Sequence, residues 1–295
     1  MSKLMRNIKI FFNLKKNKKI ETNKNFESIM FPQNKIIDGG LRKKENIKED
    51  YNAPLLTVIT VVLNGGKHLE ECIKSLHKQN YKNYEHIIID GGSTDNTIEI
   101  IKRYEDNIDY WCQISDKGIY DAFNYGMTLA RGKYICFLNS DDKFTDDAFD
   151  HLNKYIKNFP NKDFIFGAVK KHWGVLFGYR PYKIYWSWGF YSSHSTGFFI
   201  KLESAKKVGL YNLKYKYSSD YDYFFRMIVK EKLKGIGSKK KEIFGIFRRG
   251  GFSSKVNFID HFYEELQIRL DNGQSKIFVF FIFIYKFFKH YKRIS

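Results

Sequence analysis

Short apolar runs that alternate with amphipathic segments are the feature that most constrains the fold of this chain. The runs LLTVITVVL at 55–63, HIII at 86–89 and KYICFL at 133–138 have the length and apolar content of buried strands. Between the first two, residues 69–76 place apolar side chains at the spacing of one helix face. Such alternation predicts an α/β fold with a mostly parallel sheet flanked by helices, in which ligands bind beyond the carboxyl ends of the strands.

Local patterns predict further elements. Asn96, three residues before Glu99, is expected to cap the helix that follows the second strand. Apolar spacing and turn residues predict four more: a helix at 120–130, strands at 164–166 and 198–200, and a helix at 221–229.

The positive charge lies mainly at the two ends of the chain. The formal net charge is +19, and residues 1–50 and 276–295 together supply +12 of it. We expect a basic amino-terminal extension at 1–52, one α/β domain at 53–275 and a separate tail at 276–295. A nucleic-acid-binding protein needs a basic stripe on its recognition element, so this distribution argues against a nucleic acid partner.

The tail is aromatic and basic. Its apolar run at 277–285 is shorter than the roughly 20 residues that span a bilayer. Aromatic, Lys and Arg side chains together suit the headgroup region of an anionic leaflet. We therefore expect an amphipathic helix that lies on the membrane surface, with a helix packed on the domain or a dimer helix as alternatives.

Two observations predict a cytoplasmic location, at the inner face of the membrane. The three cysteines, Cys72, Cys112 and Cys136, are widely spaced and show neither a disulfide framework nor a zinc-ligand pattern, which fits a reducing compartment. The first 19 residues lack the apolar core and cleavage site of a secretory signal.

Acidic residues follow two of the predicted strands. Asp141 and Asp142 come directly after the strand at 133–138, where carboxylate oxygens suit Mg²⁺ or Mn²⁺ bound to a diphosphate. Asp90 ends a neighbouring strand, and the glycines after it would let a nucleotide approach closely. An ordinary turn explains either pattern equally simply. A third acidic cluster, at 219–222, begins a helix and suits a helix cap as well as a catalytic role.

The dinucleotide-binding pattern GxGxxG is absent after the first strand, and the P-loop pattern GxxxxGK[ST] is absent from the whole sequence. Six segments in order instead carry a resemblance: TVVLNGGKHLEECIKSL, IIIDGGSTDNTIEII, SDKGIYDAFNYGMTLARGKYICFLNSDD, HSTGFFI, KVGLYNLKY and SDYDYFFR. From Thr57 to about Arg226 the chain resembles the family 2 glycosyltransferases of the GT-A fold, especially the bacterial group that builds surface polysaccharide. The resemblance implies an inverting transferase that uses a nucleotide-diphospho-sugar, with a UDP-sugar favoured, and Mn²⁺ or Mg²⁺.

The resemblance also implies roles for individual residues. Asp142 stands at the position of the metal ligand, with Asp141 nearer the ribose and a second candidate ligand. Asp220 matches the catalytic base, and Asp222 is its rival. The residues implied for nucleotide-sugar binding are Val61, Leu63, Asn64, Asp90, Asp116, Lys117, Asp121, Asn124 and Asp141.

Three more residues are candidates for the acceptor or the diphosphate: His194, Trp188 and Arg249. The expected reaction is transfer of a hexosyl or N-acetylhexosaminyl group to a saccharide or lipid-linked saccharide in cell-surface polysaccharide synthesis. The alternative function is a GT-A domain that binds nucleotide or saccharide without catalysis.

Overall fold

The computed structural model describes residues 9–15, 35–44, 54–186, 190–250 and 257–290. Within these ranges the strands form two sheets. Their bounds are β1 (Lys35–Gly39), β2 (Leu56–Val62), β3 (Tyr84–Asp90), β4 (Tyr110–Ile114), β5 (Tyr134–Phe137), β6 (Lys143–Phe144), β7 (Phe164–Phe166), β8 (Ala168–Lys171), β9 (Gly174–Leu176), β10 (Phe198–Lys201), β11 (Gly235–Gly237) and β12 (Ile243–Ile246).

The larger sheet has the order β1-β4-β3-β2-β5-β10-β7-β11. Its four central strands, β4, β3, β2 and β5, are parallel, while β1 and β10 join it antiparallel. All seven residues of β2 are buried, because helices cover both faces of a parallel sheet. The mostly parallel α/β sheet predicted from the sequence is therefore confirmed.

Nine helices that lie wholly within the described ranges flank the sheets. They are α1 (Leu41–Lys44), α2 (Leu69–His77), α3 (Thr97–Arg103), α4 (Ile119–Leu129), α5 (Ala148–Asn158), α6 (Leu202–Val208), α7 (Ser219–Phe225), α8 (Phe258–Asp271) and α9 (Lys276–Lys289). The predicted apolar face of α2 is confirmed, since Leu69, Cys72, Ile73 and Leu76 are all buried. The helix predicted at 221–229 begins two residues earlier, as α7, and continues as a π-helical turn at Arg226–Lys230.

Helix α3 begins directly after Asn96, as predicted, but the side chain of Asn96 makes no cap hydrogen bond. Asp95 instead accepts the backbone N–H of Thr97 at 3.1 Å. Asn96 is held against Gly66, where a Cβ would lie 1.8 Å from its Oδ1. Contact with the loop after β2 therefore takes precedence over local capping.

A second, smaller sheet has the order β6-β12-β8-β9 and was not predicted. It places the end of β12 beside the loop after β5, because β6 in that loop pairs antiparallel with β12. The sheet therefore brings residues 247–249 towards the carboxyl ends of the parallel strands.

Described segments from both terminal regions pack on other parts of the protein. The strand β1, which lies within the predicted extension at 1–52, pairs with β4, so the boundary drawn at 52 divides the main sheet. Helices α8 and α9 pack together around a separate apolar cluster that also encloses Phe11 of the helical residues 9–13. Among the residues described here, no helix has the length and apolarity needed to cross a membrane.

Candidate active site

The loops after β2 and β3 are tied to each other. Val61 is buried near the end of β2, while Leu63, just beyond it, is 61% exposed. Asn64 follows with a φ of +52°, a conformation that Asn tolerates better than most residues. Its N–H donates to Ser93 Oγ at 2.7 Å, and its Oδ1 accepts the N–H of Thr94 at 2.9 Å.

Asp90 organises the loop that follows β3. Its fully buried carboxylate accepts the N–H groups of Gly92 at 3.0 Å and Ser93 at 2.9 Å. It also accepts the Ser93 hydroxyl and the amide of Gln113, the latter at 2.9 Å. The hydrogen bonds of Asp90 therefore give the loop its shape.

The loop after β4 lies against the same edge. A Cβ at Gly91 would be 2.6 Å from Asp116 Oδ2, so only glycine lets the two loops meet. Burial raises the pKa of Asp116, with Asp121 and Asp90 adding to the shift. Asp121 accepts the backbone N–H of Lys117 at 3.0 Å. Three of the residues predicted to border the donor are thus neighbours in space.

Asn124 has a structural environment. It is 3% exposed, donates to the carbonyl of Tyr211 at 2.9 Å and accepts the N–H of Tyr211 at 2.7 Å. The amide group therefore clamps α4 to the segment that precedes α7.

Asp142 is the most unusual carboxylate of the site. It is 1% exposed, and its Oδ1 accepts the N–H of Arg248 at 2.9 Å. Within the described part of the chain, its Oδ2 is buried and has no hydrogen bond of normal geometry, and the nearby Ser195 hydroxyl offsets only part of the effect of burial on its pKa. Burial raises the pKa of Asp142 to about 7, and the adjacent carboxylate of Asp141 adds to the shift. Burial also raises the pKa of Asp141.

The carboxylates of Asp141 and Asp142 suit a divalent cation whose remaining coordination positions are filled by a bound ligand. The buried oxygen of Asn139, like Asp142 Oδ2, lacks a hydrogen-bond partner among the described residues. An unpaired carboxylate oxygen is costly to bury, and a hard cation would remove that cost. No cluster of three or more His, Cys, Asp or Glu suited to a metal occurs in the described ranges, so the remaining ligands would have to come from water or a diphosphate.

Arg248 closes one side of the site. Besides donating its N–H to Asp142, its guanidinium contacts His68 Nδ1 at 3.1 Å and Glu71 at 2.5 Å. Hydrogen bonds from Lys143 and Arg248 lower the pKa of Glu71 to about 2. The end of β12 is thereby fastened to α2 across the carboxyl edge of the sheet.

Lys171, at the end of β8, is a site residue that sequence reasoning missed. Its Nζ lies 4.1 Å from the centre of the Phe247 ring. Burial lowers the pKa of its ammonium, and the nearby carboxylates of Asp142 and Asp220 oppose that shift. Lys171 therefore adds positive charge near both acidic groups. Its only sequence signal is a Lys in an unpredicted strand.

Asp220 lies in the first turn of α7 and faces two tyrosines. Tyr120 donates its hydroxyl to one carboxylate oxygen at 3.2 Å, and Tyr191 donates to the other at 3.4 Å. The carboxylate is only partly buried. It therefore keeps lone pairs for an incoming hydroxyl group.

Asp222, two residues further on, has the contacts of a structural residue. It is 3% exposed and forms an ion pair with Arg226 at 2.9 Å. Its other oxygen accepts the amide of Asn272 at 2.7 Å. Both oxygens are thus engaged inside the fold.

The three acceptor or diphosphate candidates have different surroundings. His194 is half-buried, with its ring stacked on Phe137, and shares a 2.5 Å hydrogen bond with Tyr211. Burial lowers its pKa to about 4, so its ring is neutral at neutral pH. Arg249 is exposed in the turn after Arg248. Trp188 lies outside the described residues.

The sheet order and the acidic loops at its carboxyl edge are those of a GT-A glycosyltransferase, and sequence comparison shows the family. The chain belongs to glycosyl transferase family 2, whose sequence model matches residues 57–237. The matched range contains the loops after β2, β3 and β5. The resemblance stated from the motifs is therefore confirmed.

Two relatives illustrate the similarity. An uncharacterized glycosyltransferase of Rickettsia typhi is 29% identical over 195 residues, which are 62% of this chain and 61% of that protein. A PGL/p-HBAD biosynthesis glycosyltransferase of Mycobacterium bovis is 28% identical over 183 residues, which are 59% of this chain and 70% of that protein. The chain thus aligns with about three fifths of the length of its Rickettsia relatives.

Two solved structures share the fold. S. aureus TarS 1–349 in complex with UDP-GlcNAc has a TM-score of 0.58 and 17% identity, and the match covers 80% of this chain and 72% of that one. The mannosyltransferase PcManGT of Pyrobaculum calidifontis, in complex with GDP-Man and Mn²⁺, has a TM-score of 0.58 and 13% identity, with coverage of 97% and 78%. At these identities the comparison shows the GT-A fold alone.

Proposed function

We propose that this chain is an inverting transferase that moves a hexosyl or N-acetylhexosaminyl group from a nucleotide-diphospho-sugar to a saccharide or lipid-linked saccharide acceptor in cell-surface polysaccharide synthesis. The observation that carries the proposal is the buried Asp142 carboxylate with one unpaired oxygen, at the edge where the loops after β2, β3 and β4 meet. A UDP-sugar is the favoured donor, because TarS binds UDP-GlcNAc on this fold. The proposed location is the inner face of the bacterial cell membrane.

In the proposal the donor lies across the carboxyl edge of the sheet. The nucleoside contacts Val61, Leu63 and the loop that Asp90 shapes. The other proposed contacts are Asn64, Asp116, Lys117, Asp121, Asn124 and Asp141. Mn²⁺ or Mg²⁺ fits the oxygens of Asp142 and Asp141, and when bound it would neutralise the leaving diphosphate.

Asp220 is the proposed base. Its carboxylate takes the proton of the acceptor hydroxyl as that oxygen attacks the anomeric carbon. The bond from that carbon to the diphosphate breaks, and its electron pair leaves with the nucleoside diphosphate. Attack and departure on opposite faces invert the anomeric centre. His194, Arg249 and Trp188 stay proposed as acceptor or diphosphate contacts.

A thermal-shift experiment tests whether the chain binds a nucleoside diphosphate through a metal held by Asp142. Measurement of sugar transfer itself separates the proposal from the alternative, a GT-A domain that binds nucleotide or saccharide without catalysis. UDP, GDP, CMP and dTDP are added with and without Mn²⁺ to the wild type and to the Asp142→Ala variant. A ligand at about 100 times its Kd should stabilise the protein by about 2.7 kcal/mol. We expect one diphosphate to stabilise only the wild type, and only with Mn²⁺. Stabilisation by none of them would contradict the proposal.

Lys171 should support the leaving group. Replacing Lys171 by Met removes a partly buried positive charge near both acidic groups, so kcat/KM for the donor should fall by about 10- to 100-fold. Lys170→Met is the matched control, because Lys170 precedes Lys171 on the same strand and is exposed. Steady-state kinetics at saturating Mn²⁺ would measure both. Equal effects of the two variants would exclude this role.

A further inference from the structure

The outer side of α9 carries a continuous apolar stripe. Ile277, Phe281, Tyr285 and Phe288 are between 52% and 72% exposed, at helical spacings of four, four and three residues. The opposite side of the helix is buried against α8 and Phe11. A 14-residue helix that already packs on the protein thus leaves a second apolar face uncovered.

Two segments far away in the sequence extend this stripe. Trp186, at the end of the 3₁₀ helix Pro181–Trp186, packs against Phe278 with ring centres 5.3 Å apart. Tyr182, Lys183, Trp186 and Tyr285 line a surface cavity of about 380 Å³ between that segment and α9. On the other side, the exposed Phe12 packs against Phe280 at 5.7 Å. The three segments form one surface, which we call the aromatic face: residues 9–15, 181–186 and 276–290.

The charged side chains of the aromatic face are all basic. Its three segments contain no Asp or Glu, and their lysines are Lys9, Lys15, Lys183, Lys276, Lys286 and Lys289. Of these, Lys286 is buried in an ion pair with Glu265 at 2.6 Å, whereas Lys9, Lys15, Lys276 and Lys289 are exposed.

The acidic residues of the neighbouring α8 mostly face elsewhere. Glu264 accepts backbone N–H groups of residues 216 and 217, and Asp271 pairs with Lys214 at 2.9 Å. The carboxylates of Glu264 and Asp271 are therefore engaged by groups that do not belong to the aromatic face.

We propose that the aromatic face binds the surface of an anionic lipid bilayer, with its aromatic side chains at the headgroup boundary. Exposed aromatic residues ringed by lysines and free of carboxylates are complementary to that surface. A second copy of the chain fits less well, because a two-fold interface would set the lysines of one copy against those of the other. This surface adds a membrane partner to the proposed function. The lipid-linked acceptor itself rests on that proposed function.

The aromatic face is joined to the helix that carries Asp220. Tyr221 donates its hydroxyl to the carbonyl of Ile184 at 2.9 Å. The Arg269 guanidinium lies over the Tyr221 ring, 5.3 Å from its centre, and donates to the carbonyl of Tyr185. Binding of the face to a bilayer therefore fixes the proposed base relative to the headgroups, where a lipid-linked acceptor would present its hydroxyl.

Vesicle co-sedimentation of the full chain tests the proposal. Vesicles of phosphatidylcholine alone are compared with an equal mixture of phosphatidylcholine and phosphatidylglycerol. We expect binding to the mixed vesicles that weakens at high salt, and a loss of about tenfold or more in the double variant Phe281→Asn, Phe288→Asn. Phe159→Asn, which changes an exposed Phe at the end of α5, is the matched control and should bind as the wild type does.

Three outcomes would overturn the proposal that the aromatic face binds a bilayer. They are no binding to the mixed vesicles, equal binding by the double variant and the wild type, or a wild-type dimer in solution that is lost in the double variant while neither protein binds vesicles. Donor hydrolysis without vesicles separates this proposal from the proposed function. Hydrolysis without vesicle binding would contradict only the proposed lipid binding by the aromatic face. Vesicle binding without hydrolysis would support that lipid binding and contradict the proposed transferase activity.

Discussion

Replacement of Asp142 by Asn is expected to abolish sugar transfer and, in metal-free buffer, to make the folded protein more stable. Transfer should fall by about a thousandfold or more, because the cation that neutralises the leaving diphosphate loses its principal ligand. Stability should rise because the variant no longer buries a carboxylate with an unpaired oxygen, while its carboxamide oxygen can still accept the N–H of Arg248.

The pH dependence of the free energy of unfolding shows whether the ionised Asp142 carboxylate stabilises or destabilises the folded protein. The pKa of Asp142 is about 7 in the folded protein, above its ordinary value of 3.8, so between these pH values the folded state binds more protons than the unfolded state. The stability of the wild type should therefore fall as pH rises from about 4 to 7 and level off above. At pH 8 the Asp142→Asn variant should be more stable by about 2–4 kcal/mol, since one pKa unit corresponds to about 1.4 kcal/mol.

Urea unfolding with EDTA at pH 5 and pH 8 measures the difference. Asp141→Asn is the control, because the pKa of Asp141 is also raised but its side chain is less buried. Its effect on stability should be smaller. An Asp142→Asn variant less stable than the wild type at pH 8 would contradict the account of this carboxylate.

The second large effect separates Asp220 from Asp222. Asp220→Asn should lower kcat by about a thousandfold, the range expected for loss of a general base, with nucleotide binding and stability nearly unchanged. Asp222→Asn should instead lower the free energy of unfolding by about 3 kcal/mol, because it leaves the buried Arg226 guanidinium without its carboxylate.

Each variant is the control for the other, since the two residues lie on the same turn of α7. Turnover and urea unfolding are measured on both proteins. Full activity in Asp220→Asn, or unchanged stability together with lost activity in Asp222→Asn, would assign the base to Asp222.

The central fold was predictable because its signals are local. The run at 55–63 is long and apolar, with a proline before it and Asn64 and two glycines after it, and α2 has four buried apolar side chains at helical spacing. The small sheet escaped prediction because β6, β8, β9 and β12 have only two to four residues each and are defined by partners far away in the sequence. Lys171, the last residue of β8, was therefore not predicted as a site residue either.

The candidate site was predictable to the extent that acids follow strands. Asp90, Asp141 and Asp142 could be placed at one edge of the sheet from the order of elements alone. Asp116 was implied only by the family resemblance, because the strand before it, β4, was not predicted. The hydrogen bonds and burial of each carboxylate could not be predicted, because they depend on residues far away in the sequence. Asn272, which engages Asp222, follows the last residue of α8, 50 residues further along the chain, and Arg248, two residues after β12, supplies the N–H that Asp142 accepts.

The most direct test of the proposed reaction is to follow an α-linked nucleotide-sugar by proton NMR in the presence of the enzyme and Mg²⁺, because paramagnetic Mn²⁺ would broaden the proton signals. Water can replace the acceptor, so the released sugar reports the stereochemistry without knowledge of the natural acceptor. A panel of UDP-GlcNAc, UDP-glucose and GDP-mannose covers the donors considered. We expect one donor to be consumed only with Mg²⁺ and only by protein that retains Asp142, and we expect the inverted anomer to appear first. Initial release of the retained anomer, or consumption that Asp142→Asn leaves unchanged, would contradict the proposed reaction.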